Sequence, residues 1–204
     1  MANNSKLATS RSMFLDNMEQ LPFEIQTAVN SKQQKLNDSE IYSVVALGAA
    51  LTSINDLFAP DGAKVVGVRN IANQKIDAGK YFMVSGIEIL YGIDIVNATG
   101  AAANFGSAPI PAAVFNGELT IEQNGRKIFS KQSMACFFTG ITSTSIAVGP
   151  LTALANGRAI ITLDNPQWIE PQVELKGRME WAAAPGAASS FIKIRLIGTV
   201  NERS

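Results

Sequence analysis

The sequence predicts a mainly β chain, a jelly-roll-like antiparallel β-sandwich preceded by a helical N-terminal arm. Three observations carry this. Apolar and polar residues alternate at a period of two through most of the chain after residue 62. Turn signals separate those runs, among them Ala59-Pro-Asp-Gly62, Asn124-Gly125 and Asp164-Asn-Pro166. The first forty residues instead place their apolar side chains at helical spacing. A chain of 204 residues suits one body with an arm, divided here at 1–38 and 39–204, and can bury a core without disulfides.

Met1 to Arg11 is polar and small, the composition of a disordered tip. From Ser12, a fitting N-cap, Phe14, Leu15, Met18 and Leu21 share one helical face. Pro22 closes that helix and can open the next, in which Ile25, Ala28, Val29 and Leu36 form a second stripe ending near Asn37-Asp38. Such a stripe must be buried, either on its own body or on a neighbouring subunit. Between Ile41 and Phe58 the residues Ile41, Val44, Val45, Gly48, Leu51, Ile54 and Phe58 follow a 3.6-residue period, so a helix is expected, although Glu40 to Leu47 also has β-branched character.

Beyond the Pro-Asp-Gly turn, Lys64 to Arg69 reads as a short strand and Tyr81 to Ile95 as a long one with Ile87, Ile89, Tyr91, Ile93 and Ile95 on one face. Gly117 to Gln123 alternates with Leu119 and Ile121 inward. Asn124-Gly125 then supplies a hairpin turn in which both positions tolerate positive φ, and Arg126 to Ser130 returns. Arg158 to Leu163 is expected to stop at Asp164-Asn-Pro166. Val173 to Trp181 and Ser190 to Val200 alternate again and close the chain. Alternation of this kind gives each sheet one dry and one wet face. Periodicity leaves the strand order open, and with it the choice between sandwich and barrel.

The chemistry the chain lacks is as informative. There is no histidine, which removes the usual general base and the commonest transition-metal ligand. The single cysteine, Cys136, sits in an apolar run and reads as a small buried hydrophobe. Two acid pairs, Asp56 with Asp61 and Glu88 with Asp94, are the best catalytic candidates, yet each acid has an ordinary reading as a turn former or solvent-face residue. Gly62, Gly67 and Gly79 lack the following helix a phosphate site needs, and the hydroxyls of Gly140 to Ser145 have no base to serve them. No acidic loop has the ligand density of a calcium site. The expectation is therefore no catalytic residue, no cofactor and no metal. Basic and acidic residues balance at 17 each, without a basic tail, which argues against direct nucleic-acid binding. No segment reaches the roughly 20 apolar residues of a membrane helix, and no apolar leader opens the chain. The Asn3, Asn37 and Asn97 tripeptides thus match a glycosylation pattern by spelling alone, and synthesis is expected in the cytoplasm.

Three stretches, Ala98 to Ala113, Ile141 to Asn156 and Ala182 to Ser189, are long, small and uncharged. They lack the charge of disordered linkers and suit close contact with another backbone at a subunit interface. With the arm preceding a β-body, the Gly67-to-Lys80 connection into a long strand, and the Leu163-Asp-Asn-Pro-Gln-Trp-Ile-Glu-Pro171 corner, the chain resembles jelly-roll structural proteins of phage and virus particles. The resemblance implies a virion structural protein, a capsid or capsid-associated subunit assembled in a host cytoplasm. It implies a homo-oligomer alongside other virion proteins, and the absent basic arm departs from capsids that bind their genome. The expected subunit contacts are Phe14, Leu15, Met18, Leu21, Ile25 and Val29 of the arm with Phe105 and Ile110 of the first loop. The rival reading is a carbohydrate-binding or adhesin-type sandwich using Trp168 and the same loop.

Overall fold

A computed structural model describes residues 4–48, 52–95, 99–105, 110–138, 153–154, 160–184 and 189–203. Two helices come first, α1 (Asn4–Asp16) and α2 (Phe23–Asn30), joined through a short 3-10 turn at Met18–Gln20. The strands β1 (Gln34–Ala46), β2 (Ser53–Ile54), β3 (Phe82–Ile93), β4 (Asn104–Phe105) and β5 (Ile110–Pro111) follow, then the single turn α3 (Ala112–Phe115). The chain ends with β6 (Glu118–Gln123), β7 (Arg126–Ser133), β8 (Ala153–Leu154), β9 (Ile160–Ile169), β10 (Leu175–Glu180) and β11 (Ser190–Arg203).

Two antiparallel sheets face each other. One has the order β1-β11-β3, with β9 and β4 both pairing the far edge of β3, and the other has the order β2-β10-β6-β7. Their inner faces supply one core. Ile41, Val84, Ile87, Ile89, Ile194 and Leu196 of the first sheet pack with Leu119, Ile121, Leu175 and Met179 of the second. The chain is thus a β-sandwich, held by apolar burial at about 1.5–3 kcal/mol per such side chain. The β6–β7 hairpin forms as expected: Gln123 pairs Arg126, and Asn124 (φ 51°) with Gly125 (φ 73°) makes the turn. The Ala59–Gly62 turn is present too, closed by the Gly62 amide donating to the Ala59 carbonyl at 3.3 Å.

Several expectations are corrected. The first helix begins at Asn4, so the stretch expected as a disordered tip is helical and Ser12 lies inside the helix rather than capping it. The segment from Ile41 is strand, not helix, and β1 pairs β11 over its whole length from Gln34 to Ala46. It is apolar on both sides, with Ile41 turned into the core and Val44 under an outer loop, and this doubles its apolar positions into a helix-like spacing. Lys64 to Arg69 is a tight turn rather than a strand. Gly67 (φ 81°) folds it so that Val65 bridges Arg69, and its tip clips the edge of β1 through the Val44 amide and Val68 carbonyl (2.7 Å). The expected stop at Pro166 lies inside β9. Gly86 pairs Thr162 and Val84 pairs Gln167, so residues 163–166 bulge opposite Ser85, and proline is tolerated because β9 is an edge. Finally, the central strand of the first sheet is not wet on its outer side: Phe82 to Gly92 is buried throughout.

That central strand also bends. Its pairing with β11 shifts at Ile197/Gly198, where a side chain on Gly198 would sit 1.9 Å from the Met83 carbonyl oxygen. The bulge keeps Phe82 and Val84 in phase with Ile87, Ile89 and Tyr91, so one face stays in the core across the kink.

Candidate assembly surface

The outer face of the first sheet carries three zones, one after another along the strands. At the end where β1 and β3 begin, the N-terminal helices lie on the sheet. Phe14 is fully buried with its ring edge-on to Trp168 (centroids 4.7 Å apart), and Leu21 and Met83 complete the cluster. Met13, Met18, Ile25 and Leu36 pack around it. Beneath α1 a buried hydroxyl trio holds the contact, with Ser10 Oγ 2.7 Å from Thr199 Oγ1 and 3.1 Å from Ser85 Oγ. Arg11 reaches Asp38 at 3.3 Å on the rim.

The middle zone is charged. Arg195 of β11 binds Glu88 of β3, directly opposite in register, and Glu40 of β1. Burial works to lower the Arg195 pKa, but the hydrogen bond and charge of Glu40, then those of Glu88, outweigh it and raise the guanidinium above its ordinary value. Next to this trio, Lys193 Nζ lies 4.5 Å from the centre of the Tyr42 ring.

The far zone is apolar. Val44, Val68 and Phe191 are buried there with Phe105 and Ala103 packed on them. Just beyond, Val66 is 95% exposed and Ile95 84% exposed, with Val65 and Ile93 also open to solvent. At the opposite end Phe23, the first residue of α2, is 79% exposed.

The residues expected at subunit contacts divide in two. Phe14, Leu21 and Ile110 are buried within their own chain, and Met18, Ile25 and Phe105 are half-buried against it. Val29 is half-buried. Leu15 alone of the set is open, at 50%. The helical stripe is therefore spent on the chain's own sheet. Phe23, Val66 and Ile95 are the most exposed large apolar groups among the described residues; Phe23 and Val66 are not among the expected contacts, and Ile95 is expected on the same strand face as Ile87 and Ile89. Phe23 offered one signal: it falls outside the Phe14-to-Leu21 stripe. Most of the three small-residue loops lies outside the described residues.

Comparison with known proteins adds nothing further. No family model, curated protein or solved structure matches the chain.

The residues weighed for chemistry take structural places. Glu88 is engaged by Arg195, and Asp56 and Asp61 are solvent-exposed. Trp168 is 5% exposed, its ring covered by Phe14, so it offers no open face for stacking on a sugar. Cys136 is half-buried, with Sγ 2.7 Å from the Ser133 carbonyl oxygen. Among the described residues no three acidic or cysteine side chains converge as a metal would require, and no helix is long and apolar enough to cross a membrane. A cleft of about 160 Å³ beside β1 is edged by a chain of ion pairs. In it Lys64 binds Asp77 at 2.9 Å, and Lys80 binds Glu202 at 2.9 Å and Asp77 at 3.6 Å. Hydrogen bonds from Lys64 to Asp77, and from Lys80 and Asn37 to Glu202, hold both carboxyls below their ordinary pKa, while the Glu202 hydrogen bond raises Lys80. Its charges are mutually satisfied, which suits a surface brace rather than a site for a charged ligand.

Proposed function

We propose that this chain is a structural virion protein, a capsid or capsid-associated subunit that self-assembles into a symmetric oligomer or shell. One observation carries the self-assembly. Val66, Ile95 and Phe23 stand open to water near the two ends of one sheet. Single exposed apolar residues are ordinary, but Val65 and Val66 in the loop beside β1 and Ile93 and Ile95 at the end of β3 are all exposed, as residues at association surfaces are. A formal charge of zero leaves little repulsion between copies. The virion setting is supported by the resemblance of the arm, the Gly67-to-Lys80 connection and the Pro-bounded Trp168 corner to jelly-roll particle proteins. In this reading the sandwich is jelly-roll-like, the helices are its arm, and other virion proteins are its partners. Assembly takes place in the host cytoplasm without direct contact to nucleic acid.

The test is light scattering after size exclusion over a range of concentrations, with electron microscopy of the largest species. A closed oligomer or regular particle is expected, and Val66→Asp with Ile95→Asp should shrink it. A 21.7 kDa monomer at every concentration would overturn the reading.

A further inference from the structure

We propose that the N-terminal helices are exchanged between copies, the arm of one protomer lying on the outer sheet face of its partner through the same contacts it makes here with its own. The proposal rests on the self-assembly reading above and gives it a mechanism.

Three features of the molecule carry it. First, the arm holds together by itself. Gln26 Nε2 donates to the Leu21 and Glu19 carbonyls (2.8 and 3.3 Å), and Asn17 Nδ2 donates to the Met13 carbonyl (2.8 Å), so α1 and α2 can move as one piece. Second, the body is pinned immediately after the arm ends. Asn201 Nδ2 donates to Gln34 Oε1 at 2.7 Å, and β1 pairs β11 from Gln34 onward. Any rearrangement is therefore confined to Ser31, Lys32 and Gln33. Third, that hinge is strained: Lys32, a residue with a side chain, sits at φ 61°. A short hinge held in a left-handed conformation is relieved when it extends, and extension carries the arm away from its own sheet. Exchange then loses no contact. Phe14 meets Trp168, and Ser10 meets Thr199 and Ser85, across two chains instead of within one. The occupant of the surface is thus a second copy of this chain. Reciprocal exchange closes a dimer, and exchange passed from copy to copy closes a ring.

The touching hydroxyls of Ser10 and Thr199 allow a direct test. In a Cys136→Ser background, Ser10→Cys and Thr199→Cys are introduced, the assembled protein is oxidised, and the species are separated on a denaturing gel without reductant. Covalent dimers or a ladder are expected. An assembled protein whose cross-link closes within single chains would overturn the exchange and leave self-assembly standing. A protein that never assembles would overturn both. Hinge variants give an independent reading with opposite signs. Lys32→Gly removes the strain of the closed hinge and should shift the balance about tenfold per hinge toward the monomer. Lys32→Pro cannot adopt positive φ and should shift it toward the assembled form. If Lys32→Gly leaves the dissociation constant unchanged, hinge strain is not the driving feature and the proposal fails.

Discussion

Replacing Phe14 by alanine asks how the N-terminal helices are attached to the sandwich. Among the described side chains of the N-terminal segment, Phe14 and Leu21 are the buried apolar ones in the outer cluster. At about 1.5–3 kcal/mol each they supply roughly 3–6 kcal/mol, and the edge-on contact with Trp168 adds about 1. Ordering the helices and their side chains opposes this; a peripheral element of this kind opens at the low end of local unfolding free energies, taken as about 2 kcal/mol. A buried Phe→Ala change costs about 3–5 kcal/mol when the structure stays in place. The second number exceeds the first, so the helices should detach rather than hold the cavity, and the global loss is capped at the docking term. At about 2–4 °C per kcal/mol for a chain of this size, Tm should fall by about 4–8 °C. Hydrogen exchange should show amides 10–30 losing protection while β3 and β11 keep theirs, and Leu15→Ala, at an exposed position, should change neither. A single transition lowered by about 12 °C or more, with the α1 amides still protected, would refute the reasoning and make the helices part of the cooperative core.

Other substitutions probe the sheet and its charges. Arg195→Ala leaves Glu88, whose side chain is 5% exposed, without its cation; a loss of about 3 kcal/mol is expected in urea denaturation, the low end for a broken buried pair because Arg195 is itself 30% exposed. Arg195→Met with Glu88→Gln should recover most of it. Gly198→Ala drives a methyl group onto the Met83 carbonyl and should cost about 3 kcal/mol, whereas Gly125→Ala, with open space but φ 73°, should cost about 1. Asp77 and Glu202 have folded pKa values below their ordinary 3.8 and 4.5, so their stabilisation is complete above about pH 5 and lost as pH falls through the lowered values. The Glu202→Gln variant should therefore show a shallower fall of Tm between pH 5 and pH 2 than the parent.

Local patterns in the sequence located what local physics determines. The Asn124-Gly125 hairpin, the inward Leu119 and Ile121, and the alternation of β10 and β11 all follow from turn chemistry and a period of two. The failures lie where a distant neighbour decides. Val44 is apolar because the loop carrying Val68 covers it, and nothing near residue 44 announces that cover. Pro166 looks like a stop until β9 is known to be an edge whose bulge spans Ser85. The helical stripe was legible, but its destination was not, since Trp168 and Met83 reach it from elements about 70 to 150 residues away. Arg195, Glu88 and Glu40 meet only once β11 is known to run between β3 and β1, an order periodicity does not contain.

Gln123, buried at the end of β6, uses its amide in both senses: Nε2 donates to the Glu170 and Val173 carbonyls, each at 3.1 Å, and Oε1 accepts the Glu170 amide at 2.8 Å. Neither glutamate, which has no donor, nor lysine, which has no acceptor, can reproduce that clamp. Hydrolysis of this one amide to a carboxylate would turn two attractions into oxygen–oxygen repulsions at the corner that carries Trp168. The fold keeps that chemistry out by burying the amide, so the corner is guarded by the same closure that the amide holds.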